Sequence, residues 1–156
     1  MWQASEDLEV YKYRRRLPHW RMDGATYFVT WRLHGGQIDL APQERSLVCT
    51  SLWHFEGKRY RLLGYVVMND HVHAIVEPRY GYSLTAIVQT WKSFTAQTMQ
   101  TKNGRRGEIW QDEYFDRIIR DDEELAAKLN YVATNPEKRW PGAEGYQWMW
   151  TCGGDV

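Results

Sequence analysis

The spacing of apolar residues changes period along the chain, and each change marks an element. From Ala25 to Leu33, Tyr27, Val29, Trp31 and Leu33 alternate with Phe28, Thr30 and Arg32. That two-residue period and the β-branched and aromatic content predict a strand, which Gly35-Gly36 ends. Pro42 suits the first position of a helix carrying Leu47, Val48, Ser51, Leu52 and Phe55 at helical spacing. Residues Arg59 to Met68 and His71 to Glu77 then read as two strands joined by the tight loop Asn69-Asp70. On the second, His71, His73 and Ile75 share one face and Val72, Ala74 and Val76 the other. The apolar face is expected to pack inward and the histidine face to border something polar, with Pro78 closing the strand.

Ser83 is a good N-cap for a helix with Leu84, Ile87, Val88, Trp91, Phe94 and Met99 in its stripe, ended by Asn103-Gly104. A short strand fits Tyr114 to Ile119. The last helix starts at Asp121, with Glu124 completing a capping box, and is expected to stop before Pro136, because a residue preceding proline resists helical angles. Leu125, Leu129 and Val132 form its core stripe; Tyr131 flanks that stripe, and Asn135, if the last turn holds, lies on the same flank. The order is that of an α+β, ferredoxin-like βαββαβ antiparallel sheet with an additional C-terminal helix carrying the tyrosine. A single domain spanning 1–156 is expected, with residues 1–22 as an N-terminal arm and 136–156 as a tail. Pattern does not place that tail, which holds Trp140, Trp148 and Trp150.

With 43% hydrophobic and 15% aromatic residues, the chain can bury a real core, and an ordered domain is expected. The formal net charge is zero, so a nucleic-acid partner would have to be met by local patches. Arg14, Arg15 and Arg16, Lys102 with Arg105 and Arg106, Arg117 with Arg120, and Lys138 with Arg139 are such patches. Taken singly, each is more often a solvated surface cluster. Tyr11, Tyr13 and Trp20, interleaved with the N-terminal arginines, are candidates for base stacking. Cys49 and Cys152 form neither a Cys-x-x-Cys motif nor a disulfide framework. No segment has the length of a membrane span, and the acidic N-terminus lacks a signal core, so a reduced, cytoplasmic protein is expected.

The chemistry centres on His71 and His73, which one strand face could direct at a single divalent metal. A lone His-x-His pair is more often one buried and one solvated imidazole. Two histidines also make an incomplete site, for which the Asn135 side-chain carbonyl is the best third donor. Tyr131 is a candidate nucleophile if a nearby cation favours its phenolate; its bland reading is a surface tyrosine, and that of Asn135 a helix C-cap.

Four segments, RRLPHWRMDGATYFVTWRL, GYVVMNDHVHAIVEP, SLTAIVQTWKSFTA and GEIWQDEYFDRIIRDDEELAAKLNYVATNP, follow one another between Arg14 and Arg139. Their order and spacing resemble the REP-associated tyrosine transposases of the single-tyrosine HUH (insertion-sequence-like) superfamily. The resemblance implies a metal-dependent enzyme that nicks and joins single-stranded DNA beside a hairpin through a covalent 5′-phosphotyrosine. It makes Tyr131 the nucleophile, His71 and His73 ligands of magnesium or manganese, and Arg14, Arg15, Arg16, Arg105, Arg106, Lys138 and Arg139 contacts to DNA. Asp70 stands where relatives often carry an amide, and Asn135 where insertion-sequence relatives carry glutamine, which leaves the third ligand open. A non-catalytic nucleic-acid-binding module and a small metallohydrolase that ignores Tyr131 are the alternatives.

Overall fold

The computed structural model describes residues 24–153. Five strands, β1 (Thr26–Arg32), β2 (Tyr60–Val67), β3 (His71–Pro78), β4 (Phe115–Ile119) and β5 (Met149–Thr151), form one antiparallel sheet in the order β4-β1-β3-β2-β5. Three helices cover it: α1 (Pro42–His54), α2 (Leu84–Lys102) and α3 (Asp122–Arg139). Without β5, the order is that of the expected ferredoxin-like unit. Among the described residues, no helix is long and apolar enough to cross a membrane.

The two-residue period of the strands sorts the core into two layers. Tyr27, Val29 and Trp31 of β1 join Val72, Ala74 and Val76 of β3 in the larger cluster beneath α1 and α2. Trp31 stacks on Trp91 at 5.6 Å and meets Trp110 edge-on at 6.2 Å. The buried Tyr60 hydroxyl accepts from Trp91 Nε1 at 3.0 Å and donates to the Leu52 carbonyl at 2.5 Å, so the polar tips of Tyr60 and Trp91 are satisfied, whereas Trp31 Nε1 has no partner among the described residues. Phe28, Leu63, Val66, Met68 and Ile75 form a smaller cluster on the opposite face, under Val132, Leu125 and Leu129 of α3. Helix α3 therefore covers this face, while the histidines at its end meet polar partners, Asp70 for His71 and Thr30 for His73. The reason is that α3 carries its own apolar stripe and has no other face of the sheet to cover.

Local chemistry explains most of the boundaries. Ser83 Oγ accepts from Ala86 N at the start of α2, and Gly104 takes φ +72 just past its end. Asp121 Oδ1 accepts from Glu124 N, but the reciprocal carboxylate bond goes to Arg120 N instead of Asp121 N. The Asn69-Asp70 loop closes with Met68 N donating to the His71 carbonyl at 2.8 Å, and neither loop residue has positive φ. It is thus not the left-handed turn most common in two-residue hairpins.

Two further expectations change, and the unplaced tail finds its position. Helix α3 does not stop before Pro136 but runs through it to Arg139. Proline removes one backbone donor and disfavours helical angles before it, yet Val132, Asn135 and Pro136 are all buried, and their packing holds the final turn. The tail supplies β5, which pairs with β2. There Gly64 lies at a register shift, and a Cβ would come within 3.1 Å of Leu129 Cδ2 and 3.3 Å of the Trp150 carbonyl oxygen, so its missing side chain lets α3 and β5 approach together. Phe94, expected in the α2 stripe, is 50% exposed, because Trp91 and Thr95 take the inward positions beside it.

Candidate active site

The hairpin β2–β3 brings His71 and His73 together beneath α3, with ring centroids 4.8 Å apart. Register places Thr30 of β1 opposite His73, and Thr30 Oγ1 lies 2.7 Å from His73 Nδ1. The ring stacks on Phe28 at 5.2 Å and is only 2% exposed. His71 Nδ1 lies 2.7 Å from Asp70 Oδ1, and Asn135 is close enough to raise its pKa slightly. When Nδ1 carries the proton, each ring keeps a lone pair on Nε2, the arrangement found in metal-ligating histidines.

Electrostatics favours that neutral form. Burial pushes the His71 pKa below its ordinary value despite the opposing pull of Asp70. Burial pushes His73 much further down, reinforced by the charges of His71, Arg32 and Lys128. An imidazole must be neutral to bind a metal. Among the described residues, no group of three or more His, Cys, Asp and Glu side chains could hold a metal ion. The histidine pair therefore needs an amide or a non-protein donor to complete a site.

Helix α3 supplies the remaining groups. Full burial of Val132 fixes its rotation, which leaves Tyr131 half-buried and edge-on to His73 at 5.3 Å and to Phe28 at 5.9 Å. Because the helix continues through Pro136, Asn135 sits one turn beyond Tyr131, 8% exposed. Lys138 Nζ lies 4.6 Å from the centre of the Tyr131 ring. The tyrosine, both histidines and the asparagine thus come from segments remote in sequence and converge at one end of the sheet.

Three neighbours escaped the sequence reading. Thr30 orients His73, and Arg32, paired in register with His71, projects positive charge onto both imidazoles. Lys128 acts on His73 and places Nζ 4.9 Å from the Phe28 ring centre. A signal existed for each: Thr30 and Arg32 alternate onto the face opposite the apolar stripe of β1, and Lys128 precedes Tyr131 by three helical residues.

The expected DNA contacts separate. Arg14, Arg15 and Arg16 lie outside the described residues. Lys138 and Arg139 are exposed at the end of α3, with Arg139 stacked over Trp140 at 5.2 Å. Arg106 is exposed, whereas Arg105 is a structural clamp. Arg105 directs Nε and Nη2 at the two Glu44 carboxylate oxygens, both at 2.7 Å, and its remaining donors at Gln37 Oε1 and the carbonyls of Ile38 and Asp39. All five guanidinium donors are thereby used within the protein. Arg117 is likewise paired with Glu124.

Residues 52–135 match the model of the family described as Transposase IS200 like, a span that includes His71, His73, Tyr131 and Asn135. No curated protein matches the chain. Among solved structures, the fold is similar to one described as "Structure of the REP associates tyrosine transposase bound to a REP hairpin". The TM-score is 0.64 at 20% sequence identity, over 76% of this chain and 70% of that one.

Proposed function

This chain belongs to the IS200-like transposase family, and from that premise we propose that it is a metal-dependent single-stranded DNA endonuclease and strand transferase acting beside a hairpin. The observation that carries the proposal is the convergence of Tyr131 on His73, at 5.3 Å between rings, with Lys138 over the tyrosine and Arg32 and Lys128 acting on the histidine. In the proposed step, the Tyr131 oxygen attacks the scissile phosphorus and loses its proton to solvent. The bond from phosphorus to the 3′ oxygen breaks, the 3′ oxygen leaves as a hydroxyl after taking up a proton, and the 5′ phosphate stays esterified to the tyrosine. Attack by a 3′-hydroxyl on that ester reverses the chemistry and joins strands. Arg32, Lys128 and Lys138 would hold the phosphate and offset its charge, while Thr30 keeps the His73 ring oriented.

The donor set fits a divalent cation, because both imidazoles are held neutral and each has a second-sphere partner on Nδ1. His71, His73 and Asn135 would hold magnesium or manganese, with water and a phosphate oxygen as further ligands. When bound, the ion would polarise the phosphate and favour the tyrosine phenolate. Arg106, Lys138 and Arg139, and by sequence Arg14, Arg15 and Arg16, are the proposed phosphate contacts of the DNA.

The test is incubation of the protein with hairpin oligonucleotides bearing a single-stranded flank, in magnesium or manganese. A protein–DNA adduct that survives denaturation is expected. The Tyr131→Phe variant should lose both adduct and cleavage while binding the hairpin almost as well as the wild type. Undiminished cleavage by Tyr131→Phe would point instead to a water-using hydrolase, and binding without any cleavage to a non-catalytic module.

A further inference from the structure

At the other end of β3, the β3–α2 connection builds a second feature that the nicking chemistry does not use. Tyr82 N donates to the Arg79 carbonyl at 3.0 Å and Gly81 takes φ +89, so Arg79-Tyr80-Gly81-Tyr82 is a type II turn with glycine at its third position. Arg79 N donates to the Arg59 carbonyl at 2.9 Å, which fastens the turn to the start of β2. Tyr80 stands at the tip, 85% exposed, and Tyr82 beside it is 45% exposed. Such exposure is unusual for aromatic rings on a fastened turn.

The charges around these rings are arranged differently from those of the clamps. The Arg59 guanidinium lies 3.6 Å over Phe55 and 5.9 Å from the centre of Tyr82, held in place by aromatic faces. A cation positioned by rings keeps its charge for another partner, unlike Arg105, which is neutralised by Glu44. Arg61 pairs with Glu77 only at 3.8 Å across an exposed surface, and among the described residues no ion pair holds Arg59 or Arg79. Lys58 adds another exposed cation.

We propose that the corner formed by Lys58, Arg59, Arg79, Tyr80 and Tyr82 is a second DNA-binding surface, which stacks unpaired bases on the two tyrosines and holds their phosphates with the cations. Exposed rings interleaved with unneutralised cations match the chemistry of single-stranded DNA, in which every base offers a π face beside a charged backbone. The surface lies seven strand residues from His71, about 23 Å at ~3.3 Å per residue. That span equals about seven base pairs at ~3.4 Å each, so one substrate could meet both ends of the sheet. This assignment rests on the DNA-processing reading for its biological setting, but its test does not depend on cleavage.

Binding is measured by fluorescence anisotropy in full-length Tyr131→Phe protein, with an oligo-dT of about 12 nucleotides, within the usual span of single-strand sites, and a blunt duplex of equal length. Tyr80→Ala with Tyr82→Ala should weaken oligo-dT binding about tenfold or more through the loss of base stacking, with little effect on the duplex. Tyr80→Trp should retain binding, which separates stacking from damage to the turn. Arg79→Gln with Lys58→Gln should lower the salt dependence of oligo-dT binding by about 1.4 in slope, ~0.7 per phosphate contact. Unchanged oligo-dT affinity in the double tyrosine variant, or an equal loss on both probes, would overturn the proposal. An absence of nicking by the wild type would count against the Tyr131 chemistry and leave these binding outcomes decisive for the surface.

Discussion

Val72, Ala74 and Val76 of β3 pack with Tyr27, Val29 and Trp31 of β1 beneath α1 and α2, whereas His71, His73 and Ile75 of the same strand pack with Phe28, Thr30 and Arg32 beneath α3. One face is almost wholly apolar and carries the larger cluster. The other buries imidazole and hydroxyl groups that must be hydrogen-bonded to be tolerated, and Thr30 with His73 meets that need. A two-residue period thus places the apolar core and the groups of the proposed chemistry on opposite faces of one strand. Substitutions on the two faces should then fail differently, the first by unfolding and the second by losing activity in a folded chain.

The largest contrast between the two faces is expected on chelation of the metal proposed for the histidines. Chelation should stop nicking altogether, and added magnesium or manganese should restore it in the wild type but not in His73→Ala; full activity in excess chelator would defeat the assignment of the histidine face. Next in size is Trp31→Ala on the apolar face, which deletes a fully buried ring stacked on Trp91. It should cost about 3–5 kcal/mol of stability in chemical denaturation, while the fraction still folded keeps its metal affinity.

A smaller, more diagnostic effect is expected from Thr30→Val, which keeps the shape but removes the partner of His73 Nδ1. Metal affinity should fall by about 10- to 100-fold, the usual loss for a second-sphere group, with the melting temperature little changed. An equal loss of stability and metal binding would erase the distinction between the faces. The smallest effect concerns acid sensitivity in the apolar layer. The Arg105 hydrogen bond beside Glu44 holds its carboxyl below the ordinary 4.5, outweighing burial. A folded-state pKa below the unfolded one adds stability that is fully present above about pH 4.5 and lost as pH falls through the depressed value. Glu44→Gln should therefore flatten the acid limb of a stability–pH curve, and an unaltered limb would assign it to other carboxylates.

Much of this organisation was legible in the chain. Alternation in β1 and β3, Pro42 and Ser83 at helix starts and Gly104 past a helix end each act within a few residues, so pattern alone identifies them. The histidine pair on one face and Tyr131 on the helix flank followed from the same periodicities. Pro136 misled because local angular preference argued for a stop, while packing of Val132 and Asn135 against the sheet favoured another turn. Strand β5 was hidden because three residues carry too little pattern, and its partner β2 lies far away in sequence.

The arginines mark the boundary most clearly. Where positive charge lies along the chain, and which elements carry it, can be read from the residues alone. That Arg105 meets Glu44 while Arg59 rests on Phe55 and Arg32 lies beside His71 is settled by how the elements pack. The physical reason is range: propensity, capping and periodicity act between residues a turn or a pleat apart, whereas the partner that neutralises a guanidinium or orients an imidazole is brought up by the register of distant strands and the rotation of a packed helix.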